Sequence, residues 1–131
     1  MKIHLALPFP PPNYGPSIYS KNLLESLKAL GHDVVVTNTE INKITTNIGK
    51  LSAAKYLRVF IIAINIFIKN VNSHTFMNIN LSSQGIIRSY IYFFAASLSS
   101  NKIYTVFHEG NIEKFYENYN PLIKKLFKKI I

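Results

Sequence analysis

Short apolar runs take turns along this chain with longer stretches in which apolar residues recur every three or four positions. Lys2 to Leu7 is apolar on both sides after Ile3, the pattern of a central parallel strand buried on both faces. Phe9 to Asn13 holds Pro10, Pro11 and Pro12, which have no N–H to give to a helix or a ladder, so a loop is predicted. Ser17 is suited to capping a helix that runs to about Leu30, with Leu23, Leu24, Leu27 and Leu30 at helical spacing. Gly31 then closes that helix in the left-handed conformation. Val34 to Thr37 predicts a second strand, and Asn38 to Lys50 is polar and aperiodic, hence a loop. Leu51 to Lys69 predicts a long apolar helix, Thr75 to Leu81 a third strand centred on Phe76 to Asn80, and Gln84 to Leu98 a helix with Ile87, Ile91 and Phe94 along one stripe. Ile103 to Phe107 predicts a fourth strand. From Glu113 the chain reads as helix, interrupted or restarted at Pro121.

This alternation of strand and helix predicts an α/β fold, a Rossmann-like doubly wound parallel sheet. A chain of 131 residues buries one core, so residues 1–131 are expected to form a single domain. Ile131 falls inside a basic amphipathic helix rather than an exposed linker, so the expectation is a domain truncated in its last helix.

Composition narrows the chemistry. There is no Cys, which excludes disulfides and thiolate metal sites, and His4, His32 and His74 lack metal-ligand spacing. Thr45-Thr46 and Ser82-Ser83 have no partner arrangement that would activate a nucleophile. The formal net charge of +9 favours polyanionic partners. Nucleic-acid platforms interleave exposed aromatics with their cations, and the run Lys124, Lys125, Lys128 and Lys129 encloses only Leu126 and Phe127. That pattern fits an amphipathic helix, so an anionic membrane surface is the better candidate and no nucleic acid is expected; a solvated helix face is the plain alternative. Leu122, Ile123, Leu126, Phe127, Ile130 and Ile131 would form its adhesive side. Val59 to Ile68 is apolar but too short to span a bilayer, which takes roughly 20 residues. No secretory signal precedes Pro8, so the expected location is cytoplasmic, or peripheral on the inner face of the membrane.

In open α/β sheets ligands bind outside the carboxyl ends of the strands. Two segments meet that description. The first strand leads into Pro11-Pro12-Asn13-Tyr14-Gly15-Pro16-Ser17, and the fourth into His108-Glu109-Gly110-Asn111. Read from the residues alone, a His at a strand end satisfied by backbone is the plainer account of His108.

Together these segments resemble the N-terminal domain of the family 4 GT-B retaining glycosyltransferases. The resemblance rests on the Pro/Tyr/Gly loop, on Leu23-Leu24-Glu25-Ser26-Leu27, on Gly31-His32-Asp33-Val34-Val35-Val36, and on His108-Glu109-Gly110-Asn111 followed by Phe115-Tyr116. It covers nearly the whole chain, and Asn38 to Lys50 matches least. It implies the N-terminal half of a GT-B architecture, with a C-terminal nucleotide-sugar-binding domain lying outside these residues. It implies an enzyme that moves a hexose-type sugar from a nucleotide-sugar donor to a glycan, lipid-linked or polysaccharide acceptor, without metal or other cofactor. By the same resemblance His108 faces the donor sugar as the catalytic position, and Gly15, Ser17, Gly110 and Asn111 lie at the donor and acceptor. The family has two adjacent Gly in the first loop, where this chain has Gly15-Pro16. Glu109 is not assigned a catalytic role. None of Glu25, Asp33, Glu40, Glu109, Glu113 and Glu117 makes the paired-Glu pattern of the family's C-terminal half, so the chain alone is expected to be inactive. Its expected partner is that half, as the rest of a longer enzyme or as a separate subunit. The competing reading is a non-enzymatic basic module that docks on an anionic membrane or a partner protein.

Overall fold

A computed structural model describes residues 1–41 and 53–131. Four strands, β1 (Lys2–Leu7), β2 (Asp33–Asn38), β3 (His74–Ile79) and β4 (Lys102–Phe107), form one all-parallel sheet in the order β2-β1-β3-β4. The helices are α1 (Gly15–Ala29), α2 (Ala53–Lys69), α3 (Ser83–Ser97), α4 (Ile112–Asn118) and α5 (Pro121–Ile130). The arrangement is the Rossmann-like α/β sheet that the alternation predicts. Residues 42–50 of the predicted loop, and Leu51 and Ser52 at the start of the predicted second helix, lie outside the described residues.

Side-chain alternation along the strands divides the core in two. Ile3, Leu5 and Leu7 of β1 face α1 and pack with Leu23, Leu24, Leu27, Val34, Val36 and Phe76. Ala6 and Met77 point the other way, into Val59, Ile62, Ala63 and Ile66 of α2 and Tyr92, Ala95 and Ala96 of α3. Helices therefore cover both faces, and the central strand β1 is buried from Ile3 to Leu7. The burial of these branched side chains out of water is the main force holding the layers together.

One polar network lies inside this core. The His4 imidazole is wholly buried between Asn70, whose side-chain oxygen meets Nδ1, and the Thr37 hydroxyl, 2.9 Å from Nε2. Thr75 donates to the same Asn70 oxygen at 2.9 Å and reaches the Ser100 hydroxyl at 2.7 Å. A neutral ring satisfies both partners, donating from Nδ1 and accepting at Nε2. Burial, with the positive charges of Lys69 and Lys2 behind it, lowers its pKa to about 4.

Two helix ends differ from the sequence reading. Helix α1 starts a turn before Ser17, with Tyr14 as its N-cap. Pro16 sits in the first turn, where its missing N–H costs no hydrogen bond, and Ser17 reaches back to accept the Tyr14 N–H at 3.1 Å. At the other end Gly31 takes the left-handed conformation, with φ of 78°. Helix α5 departs further. Ile123, Phe127 and Ile130 are buried against Ile79, Leu81, Ile86 and Tyr119, and Leu126 packs at the edge of that cluster. The expected adhesive side of α5 is thus an internal surface, because its apolar stripe closes the core beside α3. Only Leu122 and Ile131 of the six residues remain well exposed.

Candidate functional site

With all four strands parallel, the loops after each of them emerge at one edge of the sheet. The chain leaves β1 toward β2 on one side, and β3 lies on the other, so the topological switch point falls between β1 and β3. A cleft of about 380 Å³ opens at this edge. Its walls are Pro8, Pro12, Tyr14 and Pro16 after β1, Thr39 and Glu40 after β2, Asn78 to Asn80 at the end of β3, Arg88 of α3, and His108 and Glu109 after β4. A second cavity, of about 390 Å³, lies at the opposite end of β4 between Ser100, Lys102 and Lys129, away from the loops that converge on the cleft.

Local hydrogen bonds fix the cleft wall. Asn38, at the end of β2, accepts the Phe9 N–H at 3.0 Å and the Glu40 N–H at 2.9 Å, while the Thr39 N–H donates to the Leu7 carbonyl at 2.9 Å. The segment after β2 is thereby fastened along the start of the Pro-rich loop. Tyr14 completes the join by donating its hydroxyl to the buried Glu40 carboxylate. Burial and that carboxylate push the Tyr14 phenol well above its usual pKa, against the opposing charge of Arg88. Arg88 also acts on Tyr92, whose phenol is raised by burial and whose buried hydroxyl has no hydrogen-bond partner among the described residues. On the β3 side the Asn80 side chain accepts from the Ser82 N–H at 2.9 Å and the Ser82 hydroxyl at 2.8 Å, and Ser82 caps α3 by accepting the Gly85 N–H at 3.0 Å. An added Cβ at Gly85 would fall on the Asn80 side chain and 2.7 Å from its carbonyl, so only glycine allows this turn to close.

The His108 ring stands edge-on to the Tyr19 ring of α1, with centroids 5.0 Å apart. Its Nε2 is buried and has no hydrogen-bond partner among the described residues, and the same holds for the side-chain oxygen of Asn78, which lines the same cleft. Burial lowers the His108 pKa, so the ring is neutral near pH 7 and offers Nε2 as donor or acceptor according to its tautomer. Buried polar groups in native proteins are nearly always paired, and an unpaired one calls for an explanation, a ligand group among them. Asn78 and His108, each with one such unpaired atom, line the same cleft.

The other sequence-predicted residues sit around the cleft rather than in its wall. Ser17 is fully buried, and its hydroxyl lies 2.8 Å from the Pro12 carbonyl and 2.9 Å from the Tyr14 carbonyl, which holds the loop that carries Tyr14. Gly15 is the exposed first residue of α1, between the lining residues Tyr14 and Pro16. Gly110 is exposed, and Asn111 caps α4 by accepting the Lys114 N–H at 3.3 Å. Glu109 does line the cleft beside His108, because both residues lie beyond the end of β4, where strand alternation no longer sends neighbours to opposite faces. Sequence reasoning missed Glu40, Arg88 and Asn78. Glu40 carried a weak signal as one of six acidic residues in a chain of net charge +9. Arg88 and Asn78 carried none, since each belongs to an element read only for its apolar stripe.

Comparison with protein-family models, characterised protein sequences and solved structures returns no match to this chain.

Proposed function

We propose that this chain is the acceptor-side half of a retaining GT-B glycosyltransferase, and that the cleft at the strand carboxyl ends receives sugar hydroxyls at the reacting end of the site. The observation that carries the reading is that His108 and Asn78 line one cleft at the switch point of a parallel sheet and each holds a buried polar atom, Nε2 and the side-chain oxygen, with no hydrogen-bond partner among the described residues. A neutral imidazole there orients a hydroxylated ring by hydrogen bonding, which contributes through positioning rather than through strong base catalysis. Among the described residues Arg88 is the one Lys or Arg lining the cleft, and it supplies positive charge to an anionic part of the substrate. The nucleotide grip belongs, by the resemblance, to the C-terminal half. The donor is a nucleotide-sugar and the acceptor a glycan, lipid-linked sugar or polysaccharide.

The test has two arms. In the enzyme complete with its nucleotide-binding half, His108→Ala lowers kcat by about 10²-fold or more, the scale that orientation effects reach. In the chain by itself, calorimetry detects weak or no binding of UDP-glucose or GDP-mannose, while simple glycosides shift the NMR signals of the His108 ring and the Asn78 amide. Normal turnover in His108→Ala demotes that residue to a structural one. Absence of any glycoside response replaces the enzymatic reading with the non-enzymatic basic module.

A further inference from the structure

The sheet has two edges, and they are treated differently. At β2 the Thr39 N–H bonds the Leu7 carbonyl, and alternation along the strand then turns the Val36 carbonyl outward. The Lys69 ammonium of α2 donates to that carbonyl at 3.0 Å, which lays a cation across the edge. At the other edge β4 pairs with β3 alone, so alternate N–H and C=O groups along its outer side have no ladder partner. Nothing in its sequence discourages pairing. Lys102 to Phe107 holds β-branched and aromatic residues, no Pro or Gly, and one charge, at its first position.

The helix layer reaches past this open edge. α3 packs between α2 and α5, and α2 packs on β2 at the guarded edge. Helix axes lie about 9 Å apart and strands about 4.8 Å, so three helices reach across about 18 Å and four strands across about 14 Å. α5 therefore overhangs β4 by roughly the width of one strand. Burial agrees. On the helix side Thr75, Met77 and Ile79 of β3 are buried, whereas Ile103, Thr105 and Phe107 of β4 are only half-buried. The cavity of about 390 Å³ lies in this place, with Ile103 and Thr105 of β4 beside it, and Phe93 of α3 and Ile130 of α5 in its wall.

We propose that the outer edge of β4, beneath α5, receives one extended strand of a partner polypeptide, apolar at alternate positions and acidic at the end beside Lys102 and Lys129. Backbone pairing of this kind extends a sheet by one strand, and side chains on one of its faces enter the cavity against Phe93, Ile103 and Ile130. The overhang selects a single strand. A second copy paired edge to edge about a two-fold axis would bring its own α5 into the same space. Charge selects the acidic end. Lys102 and Lys129 are exposed and line the cavity, and no Asp or Glu does so among the described residues. The Lys102 ammonium stands 5.3 Å over the Tyr104 ring, which stacks on Phe76 on the α1 side of the sheet, while Lys129 belongs to the helix side. Cations thus border the slot on both faces, and an acidic residue there meets one whichever way its side chain alternates. The slot does not depend on the enzymatic reading of the cleft.

The probe is a peptide of about ten residues, alternating Val and Thr with two Asp at one end, long enough to cover β4. Added to the full chain at about ten times its Kd, it slows exchange of alternate β4 amides about tenfold. Amides of β2 are unaffected. A fully N-methylated copy, with the same side chains and no N–H groups, does not bind. Lys102→Glu combined with Lys129→Glu weakens binding about fivefold at low salt, the scale of two exposed ion pairs, and that variant prefers a peptide with Lys in place of Asp. Both side chains are exposed, so the melting temperature stays near that of the parent. The proposal is overturned if the Asp peptide leaves β4 exchange unchanged, if the N-methylated copy binds equally well, or if the double variant keeps the parent's preference for Asp. It is equally overturned if the peptide-free chain sediments as a dimer with its β4 amides already protected.

Discussion

The Tyr14 hydroxyl donates to the Glu40 carboxylate, and this bond joins the loop after β1 to the chain leaving β2. Both side chains line the cleft, so the contact sets the position of two of its walls at once. Glu40 is only 8% exposed, and a buried carboxylate that loses a donor retains its desolvation cost. Tyr14→Phe is expected to lower stability by about 1–3 kcal/mol in urea titrations. Tyr19→Phe, on the exposed side of the same helix, is expected to change it little. The Tyr14 phenol should also resist ionisation in an ultraviolet titration well past the usual tyrosine range. A Tyr14→Phe variant as stable as the parent would show the bond to be incidental.

His4 makes stability depend on pH in a definite direction. Its folded pKa is lowered to about 4 from an ordinary 6.5. Between those values the unfolded chain binds a proton at this position and the folded chain does not, so stability falls as pH drops from about 6.5 to about 4 and its contribution is constant above and below. The loss amounts to about 3 kcal/mol at most. His4→Gln should flatten that slope when denaturant midpoints are compared across the same window. An unchanged slope in the variant would assign the effect to other groups.

Gly85→Ala is expected to destabilise by about 1–3 kcal/mol, because the new methyl group meets the Asn80 carbonyl at 2.7 Å and the backbone must shift. Gly15→Ala is the natural comparison, since a Cβ there meets nothing within 4 Å. Thermal melts of the two variants should separate clearly. Equal melting temperatures would mean that the Asn80 turn yields without cost.

Phe127→Ala removes a ring that packs on Phe107, Tyr116 and Tyr119, with centroid distances of 6.4, 5.9 and 5.8 Å. The expected loss is about 3–5 kcal/mol, the usual cost of emptying a large aromatic site. Hydrogen exchange should rise in α5 and at the end of β3 together, since both contribute to one cluster. A cost below 1 kcal/mol would return α5 to the role of a loosely attached surface helix.

The strands were legible because each is a short apolar run closed by a turn residue, and their parallel pairing followed from the helices between them. Their limits were less so. The third strand stops at Ile79 rather than Leu81 because the Asn80 side chain turns the backbone toward Ser82. For α5 the periodicity identified the apolar side correctly but not its partner: amphipathicity tells which face needs cover, and only the fold tells what covers it. The same gap explains α2, where a dense apolar run hides the division between an inward and an outward half. At the cleft, strand-end rules pointed to His108 and to the first loop. Glu40, Asn78 and Arg88 meet there from three elements distant in sequence, and no spacing within one segment records such a meeting.

The first strand in the chain occupies the middle of the sheet, and this sets an order of events during synthesis. One edge of β1 pairs with β2 after about thirty residues, but the other pairs with β3, whose partners begin at His74. Until that segment has left the ribosome, Ile3, His4, Leu5 and Ala6 present an unpaired backbone edge, and His4 lacks its Asn70 partner. Closing so wide a loop is slow compared with forming any of the helices, so the half-built sheet is the stage at which a nascent chain is most open to capture by chaperones or by another unfinished copy.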